Sequence, residues 1–439
     1  MNAALTVRPS TETESVTDTR TETLPAPPPP TSEVEPRHET ARQAAERVGL
    51  ATASGRHRWW TFPLVAVAFA LLGVIPVLAI LPSSFVATAH NDRLDEAQAA
   101  PFARTPASAQ PVDDRITLGE LDEVATQYVP DGDVYFVTIT EPSQSVLSWL
   151  IGRDDPAVRF LTEEDKYGFQ TPELRRTFAL EQMRTSEQKA QFVALQRVGY
   201  DVELLPGEVL IEAMVCLEPN DDGTDCLDWS PSDDVLDPGD RILEVDGMPV
   251  AGVEDLSQIL EGHDTGDVVE MIVERPGSGE IVVDVELTAS PDEPERTIVG
   301  FYPFDTRRVI LPFELDIDTG TIGGPSAGLA FTLTLIDELT PGELTGGQNI
   351  AITGTIELDG SVGAIGGLRQ KASAVAQAGV DVFIVPAAQG EEDIERARRS
   401  GGEGLRIIPV ATVDEALAVL ETLGGSPIDA VPIATNDQP

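Results

Sequence analysis

Lysine is nearly missing from this chain of 439 residues. It occurs only as Lys166, Lys189 and Lys371. Histidine occurs four times, at His38, His57, His90 and His263, so no residue after 263 can offer an imidazole base. Two cysteines exclude a disulfide-rich scaffold and a cysteine-based zinc site. No cofactor or metal is expected. Lys plus Arg total 29 against 75 Asp plus Glu, a formal net charge of −46. That balance argues against a nucleic-acid-binding surface, which needs a basic patch. Aromatic residues make up only 5%, but 41% of residues are apolar, enough for a sizeable core. The length implies two or three domains.

Residues 1–57 are rich in Thr, Glu, Pro, Ala and Arg and include Pro27-Pro28-Pro29-Pro30, an obligately extended run. They read as a disordered tail. From Trp59 to Ala89 there is no charged residue, and the centre of this stretch is FPLVAVAFALLGVIPVLAIL, from Phe62 to Leu81. Twenty residues at about 1.5 Å each reach about 30 Å, one bilayer core. Trp59 and Trp60 stand where an interfacial belt belongs. We therefore expect a transmembrane helix over 59–82. A cleaved signal peptide is the competing reading, because Ala87-Thr88-Ala89 resembles a cleavage site; the long preceding tail and the long apolar run oppose it. Arg47, Arg56 and Arg58 precede the span, which places the N-terminus in the cytoplasm and the catalytic part outside the cell membrane. Outside, a disulfide between Cys216 and Cys226 across the loop LEPNDDGTD is expected, with two free thiols as the alternative.

Residues 91–125 read as a polar linker with Pro101, Pro106 and Pro111. Within 126–200, Val134–Ile139 is strand-like, and 172–184 and 186–198 read as two helices. Thr185 with Gln188 suggests a capping box between them. Residues 201–289 alternate as a small β-rich domain with a hairpin at Asp246-Gly247. From 297 to 424 strands and helices alternate, an α/β layered domain, and 425–439 read as a flexible tail.

In that last domain Gly323-Gly324-Pro325-Ser326-Ala327-Gly328 opens an apolar helix, 327–336. A helix start offers free N–H donors, so Ser326 can stand beside an oxyanion site built with Gly323 and Gly324. A nucleophilic serine needs a base. No histidine is available there, and one lysine is: Lys371, after the Gly-rich segment 363–367. Burial disfavours the charged form of a lysine, and a fall from about 10.4 to about 7–8 makes it a competent base. Taken alone, Ser326 is an ordinary cap and Lys371 an ordinary surface lysine. A phosphate-binding P-loop is excluded, since no lysine follows a glycine.

The combination is more telling. GGPSAG, then TGTIELDGSVGAIGGLRQK, then AGVDVFIVP resembles the proteolytic domain of Lon-type serine–lysine peptidases. The resemblance implies Ser326 as nucleophile, Lys371 as general base and Thr353 as a hydroxyl bonded near the lysine. Two positions depart from the family pattern: Gly323 stands where an Asp is usual, and Thr355 where a Glu is usual. The stretch SPSDDVLDPGDRILEVDGMPV resembles a bacterial PDZ domain. By that analogy Pro206, Gly207, Glu208 and Val209 would bind the end of a peptide added to a sheet edge. The ectodomain as a whole is similar to membrane-anchored PDZ–Lon-like proteases. The resemblance implies an α/β (α+β) Lon-type proteolytic domain preceded by a PDZ-like domain and one membrane helix. It implies protein or peptide substrates, no ATP, no nucleic acid and a homo-oligomeric ring. A silent PDZ adaptor is the main alternative, and an acyltransferase or esterase using the same dyad is a third.

Overall fold

The computed structural model describes residues 72–90, 97–119, 126–167, 170–205, 207–219, 226–291 and 293–428. The tail 1–57, residues 59–71 of the expected span, Pro206 and residues 429–439 lie outside the described residues. The chain divides into two compact units, Met1–Val67 and Ala68–Pro439, and all that follows concerns the second. Residues 72–80, the end of the expected span, are helical and largely exposed. Among the described residues no helix is both long and apolar enough to cross a membrane.

The expected linker, 91–125, is structured over its described residues 97–119. Strand β1, Phe102–Pro111, joins the central sheet. Its prolines misled the reading because proline is poor in a regular ladder; here the register shifts between Pro106 and Ala109, an irregularity that accommodates one. Strand β2, Val134–Thr140, pairs with β1, and β3, Arg159–Leu161, pairs with the other edge of β1. Helix α1 then runs unbroken from Pro172 to Arg197. The two helices expected there are one. Thr185 and Ser186 are buried within it, so packing overrides the local capping signal.

The β-rich domain comprises β4 (Val209–Met214), β5 (Cys216–Pro219), β6 (Cys226–Trp229), β7 (Arg241–Val245), helix α2 (Val253–Leu260), β8 (Val268–Arg275), β9 (Gly279–Glu286) and β10 (Phe301–Asp305). Its main sheet runs β9-β8-β7-β4-β10. Alternate residues such as Val269, Met271 and Val273 point inward onto Leu236, Ile242 and Leu256. Cys216 and Cys226 form a disulfide between β5 and β6, with Cα atoms 5.7 Å apart.

The third part contains helix α3 (Gly328–Leu339), strands β11 (Ile350–Ile352), β12 (Thr355–Ile356) and β13 (Val362–Gly363), helix α4 (Leu368–Gln377), β14 (Val382–Pro386), α5 (Glu391–Gly401), β15 (Arg406–Val410) and α6 (Val413–Thr422). The expected strand 307–317 is broken into Arg308–Ile310 and Leu315–Ile317. The central sheet runs β15-β14-β11-β2-β1-β3, so segments far apart in sequence share one sheet. Its strands send alternate residues to two faces. Ile350, Ile352 and Ile384 face a core with α1 and α3, whereas Ala351, Phe383 and Val385 face α4 and α5. All twelve residues of α3 are buried.

Candidate active site

The turn before α3 is held by α1. The Gly324 N–H donates to the Ala179 carbonyl at 2.6 Å, and Ser186 Oγ donates to the Pro325 carbonyl at 2.9 Å. A Cβ on Gly323 would stand 2.8 Å from the Cβ of Ala179, so the helix leaves room there only for glycine. This accounts for the missing Asp at position 323. A Cβ on Gly328 would meet Ser186 Oγ at 2.6 Å. Ser186 and Ala179 are supports that no motif marks; the small residues of FALEQMRTS, Phe178 to Ser186, two turns apart on one helix, are the available signal.

On this turn Ser326 faces Lys371. The lysine Nζ lies 2.6 Å from Ser326 Oγ and 3.0 Å from Thr353 Oγ1. Thr353 Oγ1 in turn donates to the Ser326 carbonyl at 3.0 Å, and that carbonyl also accepts the Gly354 N–H at 2.9 Å. Three residues spread over 46 positions thus close into one network. Lys371 reaches it because α4 starts at Gly367, whose left-handed backbone turns the chain into the helix. The lysine is 2% exposed, and burial alone lowers its pKa from 10.5 to about 7. Among the described residues no carboxylate pairs with it.

The Ser326 N–H has no partner among the described residues and is free to serve an oxyanion. The Gly324 N–H is not, because Ala179 takes it; its expected role as an oxyanion donor is corrected to one of support. Thr355, in place of the usual Glu, lies in β12 opposite Gly363 and closes a short antiparallel pair. A cleft of about 610 Å³ opens beside Gly323 and Gly324, floored by Ile139 and Phe178 and edged by Lys166, Arg175 and Glu212. Among the described residues no group of three or more His, Cys, Asp and Glu is arranged to hold a metal ion.

The expected peptide edge is not available. Val209 begins β4, and β4 is paired on both sides, with β7 and with β10. The Glu208 N–H donates to Thr306 Oγ1 at 2.7 Å, and Gly207 is pressed against the Thr306 carbonyl. Pro206 lies outside the described residues. The alternation of Val209, Ile211 and Met214 fixes a buried face but says nothing about which strands lie beside β4. The free edge on this side belongs to β10, next to helix α2. There Arg307 bonds Glu254 of α2 at 2.7 Å.

Residues 316–422 match the family model of the Lon protease (S16) C-terminal proteolytic domain. The chain is 40% identical over 77 residues to the Lon protease of Clostridium acetobutylicum, covering 18% of this chain and 10% of that protein. It is 32% identical over 124 residues to the Lon protease of Clostridioides difficile, covering 25% and 15%. Lon protease 2 of Thermus thermophilus is 32% identical over 133 residues, covering 28% and 16%. The chain therefore spans less than a fifth of the length of these curated relatives. Among solved structures, the PDZ domain of the SdrC-like protein of Listeria monocytogenes is similar at 22% identity with a TM-score of 0.16, over 21% of this chain and 87% of that one. The corresponding PDZ domain of Listeria innocua is similar at 20% identity with a TM-score of 0.15, over 21% and 92%. The likeness to Lon proteases therefore rests on residues 316–422.

Proposed function

We propose that this chain is a membrane-anchored serine endopeptidase that works through a Ser326–Lys371 dyad without ATP. The observation that carries the reading is the 2.6 Å contact between Ser326 Oγ and the Nζ of a lysine buried to a pKa of about 7. A base near neutrality is half deprotonated at working pH and can take the hydroxyl proton as Oγ attacks a peptide carbonyl. The Ser326 N–H stabilises the oxyanion. Lys371 then protonates the leaving amine, and water releases the acyl group by the reverse proton path. Thr353 keeps the amine pointed at Oγ. The substrate backbone lies along the Gly323–Gly324 turn, with a side chain in the neighbouring cleft.

The anchor in this reading is the apolar run Phe62 to Leu81 within the span 59–82, with the proteolytic domain on the outer side. The β-rich domain takes peptides at the β10 edge beside α2, where unpaired strand groups remain. The experiment incubates the purified chain with an unfolded protein and no nucleotide, beside Ser326→Ala. Cleavage by the parent alone is the expected result. Equal cleavage by the variant, or cleavage only with added ATP, contradicts the proposal.

A further inference from the structure

A second cleft, of about 610 Å³, lies at the start of α4 and includes neither Ser326 nor Lys371. Four arginines line it: Arg104, Arg159, Arg369 and Arg396. This convergence occurs in a chain with 75 acidic residues against 29 basic ones. Three of the arginines have carboxylate partners. Arg104 meets Glu141 at 2.7 Å, Arg159 meets Asp165 at 3.9 Å, and Arg396 meets Asp393 at 3.1 Å. Among the described residues Arg369 has no carboxylate within ion-pair distance; its guanidinium donates to the Val158 carbonyl at 3.1 Å, and Asp393, which shares the cleft wall with Asp165, acts on it only at longer range. Burial and then the neighbouring Arg159, Arg396 and Arg104 lower its pKa, so its charge is held there at a cost.

Two sets of donors point the same way. Helix α4 starts at Gly367 with no side-chain cap, which leaves its first-turn N–H groups and the positive end of its dipole at the cleft. Gln370 also lines the cleft, is 1% exposed, and among the described residues its Nε2 has no hydrogen-bond partner. A buried amide donor without an acceptor is costly, and a bound acceptor removes that cost. We propose that this cleft is an oxyanion site that holds a phosphate group on Arg369, Gln370 and the start of α4. Thr88 and Ala89 form part of its wall. They lie eight and nine residues after the helix that ends at residue 80, with a short helical turn at Ser83–Phe85 between, so in the anchored reading proposed above the headgroup of an anionic phospholipid is within reach as well as free phosphate.

The test is thermal unfolding of the full chain in detergent, since a ligand of the native state raises Tm. One arm adds inorganic phosphate and the other phosphatidylglycerol. A rise with phosphate identifies the free ion, and a rise with the lipid alone identifies the headgroup. In either arm Arg369→Ala should weaken the half-saturating concentration by about tenfold or more, the scale of one lost charge-assisted hydrogen bond. Gln370→Met, which keeps side-chain volume, should weaken it as well and guards against a folding defect in the first variant. No rise in either arm, or an undiminished rise in Arg369→Ala, overturns the proposal. Neither arm involves hydrolysis, so the result is independent of the dyad.

Discussion

Replacing Thr353 by valine removes one hydroxyl from the centre of the network and leaves the shape of the side chain. Thr353 is fully buried, and its hydroxyl makes two bonds, one from Lys371 Nζ at 3.0 Å and one to the Ser326 carbonyl at 3.0 Å. The carbonyl keeps the Gly354 N–H, so it is not orphaned. The amine keeps only Ser326 Oγ. At about 1 kcal/mol for each bond, stability should fall by about 1–3 kcal/mol. The ammonium form loses a fixed acceptor, so the apparent pKa of Lys371 should fall further below about 7. The amine also loses its second anchor. If 1.4–2.8 kcal/mol of positioning is lost, kcat drops by about 10–100-fold. Thr353 is placed behind the dyad and away from the substrate, so KM should hardly move. The assay is kcat and KM for peptide hydrolysis across pH. A variant within twofold of the parent, or one whose acidic limb moves upward, would refute this account of Thr353.

Further outcomes follow from the same geometry. Activity should rise with pH through about 7 as Lys371 becomes neutral, and a profile rising only near 10 would contradict the buried base. Stability should respond in two opposite windows. Lys371 has a lowered native pKa, so the unfolded chain binds more protons between about 7 and 10 and stability rises with pH there. Asp337 and Glu338, buried at the end of α3, have pKa values raised to about 7, so the native chain binds more protons between about 4 and 7 and stability falls as pH rises through that window. Tm measured against pH, with Lys371→Met and Asp337→Asn to flatten each slope, checks the signs. Gly323→Asp restores the residue usual in the family but drives a side chain into Ala179; lost hydrolysis and a lower Tm are expected, and a fully active variant would show that α1 yields easily. Reducing the Cys216–Cys226 bridge should cost about 2–3 kcal/mol, measured by denaturant titration, because it closes a loop with a sequence separation of 10.

The contact between Ser326 and Lys371 was legible because composition left few candidates. With three lysines in the chain and no histidine after residue 263, Ser326 could be matched with only one nearby amine. The alternating elements after 349 were legible because short apolar runs between glycines separate cleanly. Other parts depended on tertiary context. β1 carries Pro106 and Pro111 and still fills a central position, since its irregular register absorbs a proline. Helix α1 hides its continuity behind a capping signal at Thr185, because burial against α3 is worth more than a cap. Whether β4 is an edge or an interior strand is decided by β10, almost ninety residues later, and no local pattern records that pairing. The loss of Gly324 as an oxyanion donor has the same origin: its partner, Ala179, belongs to a distant helix.

The scarcity of lysine also makes the central claim measurable. Selective labelling of lysine side chains would give three NMR signals, from Lys166, Lys189 and Lys371, and Lys371→Met would identify the third. A titration of the intact chain should then show the Lys371 signal changing near pH 7 and shifting again in Ser326→Ala, because Ser326 Oγ is its nearest partner. A Lys371 signal that titrates near 10, like a solvated amine, and ignores Ser326 would contradict the dyad.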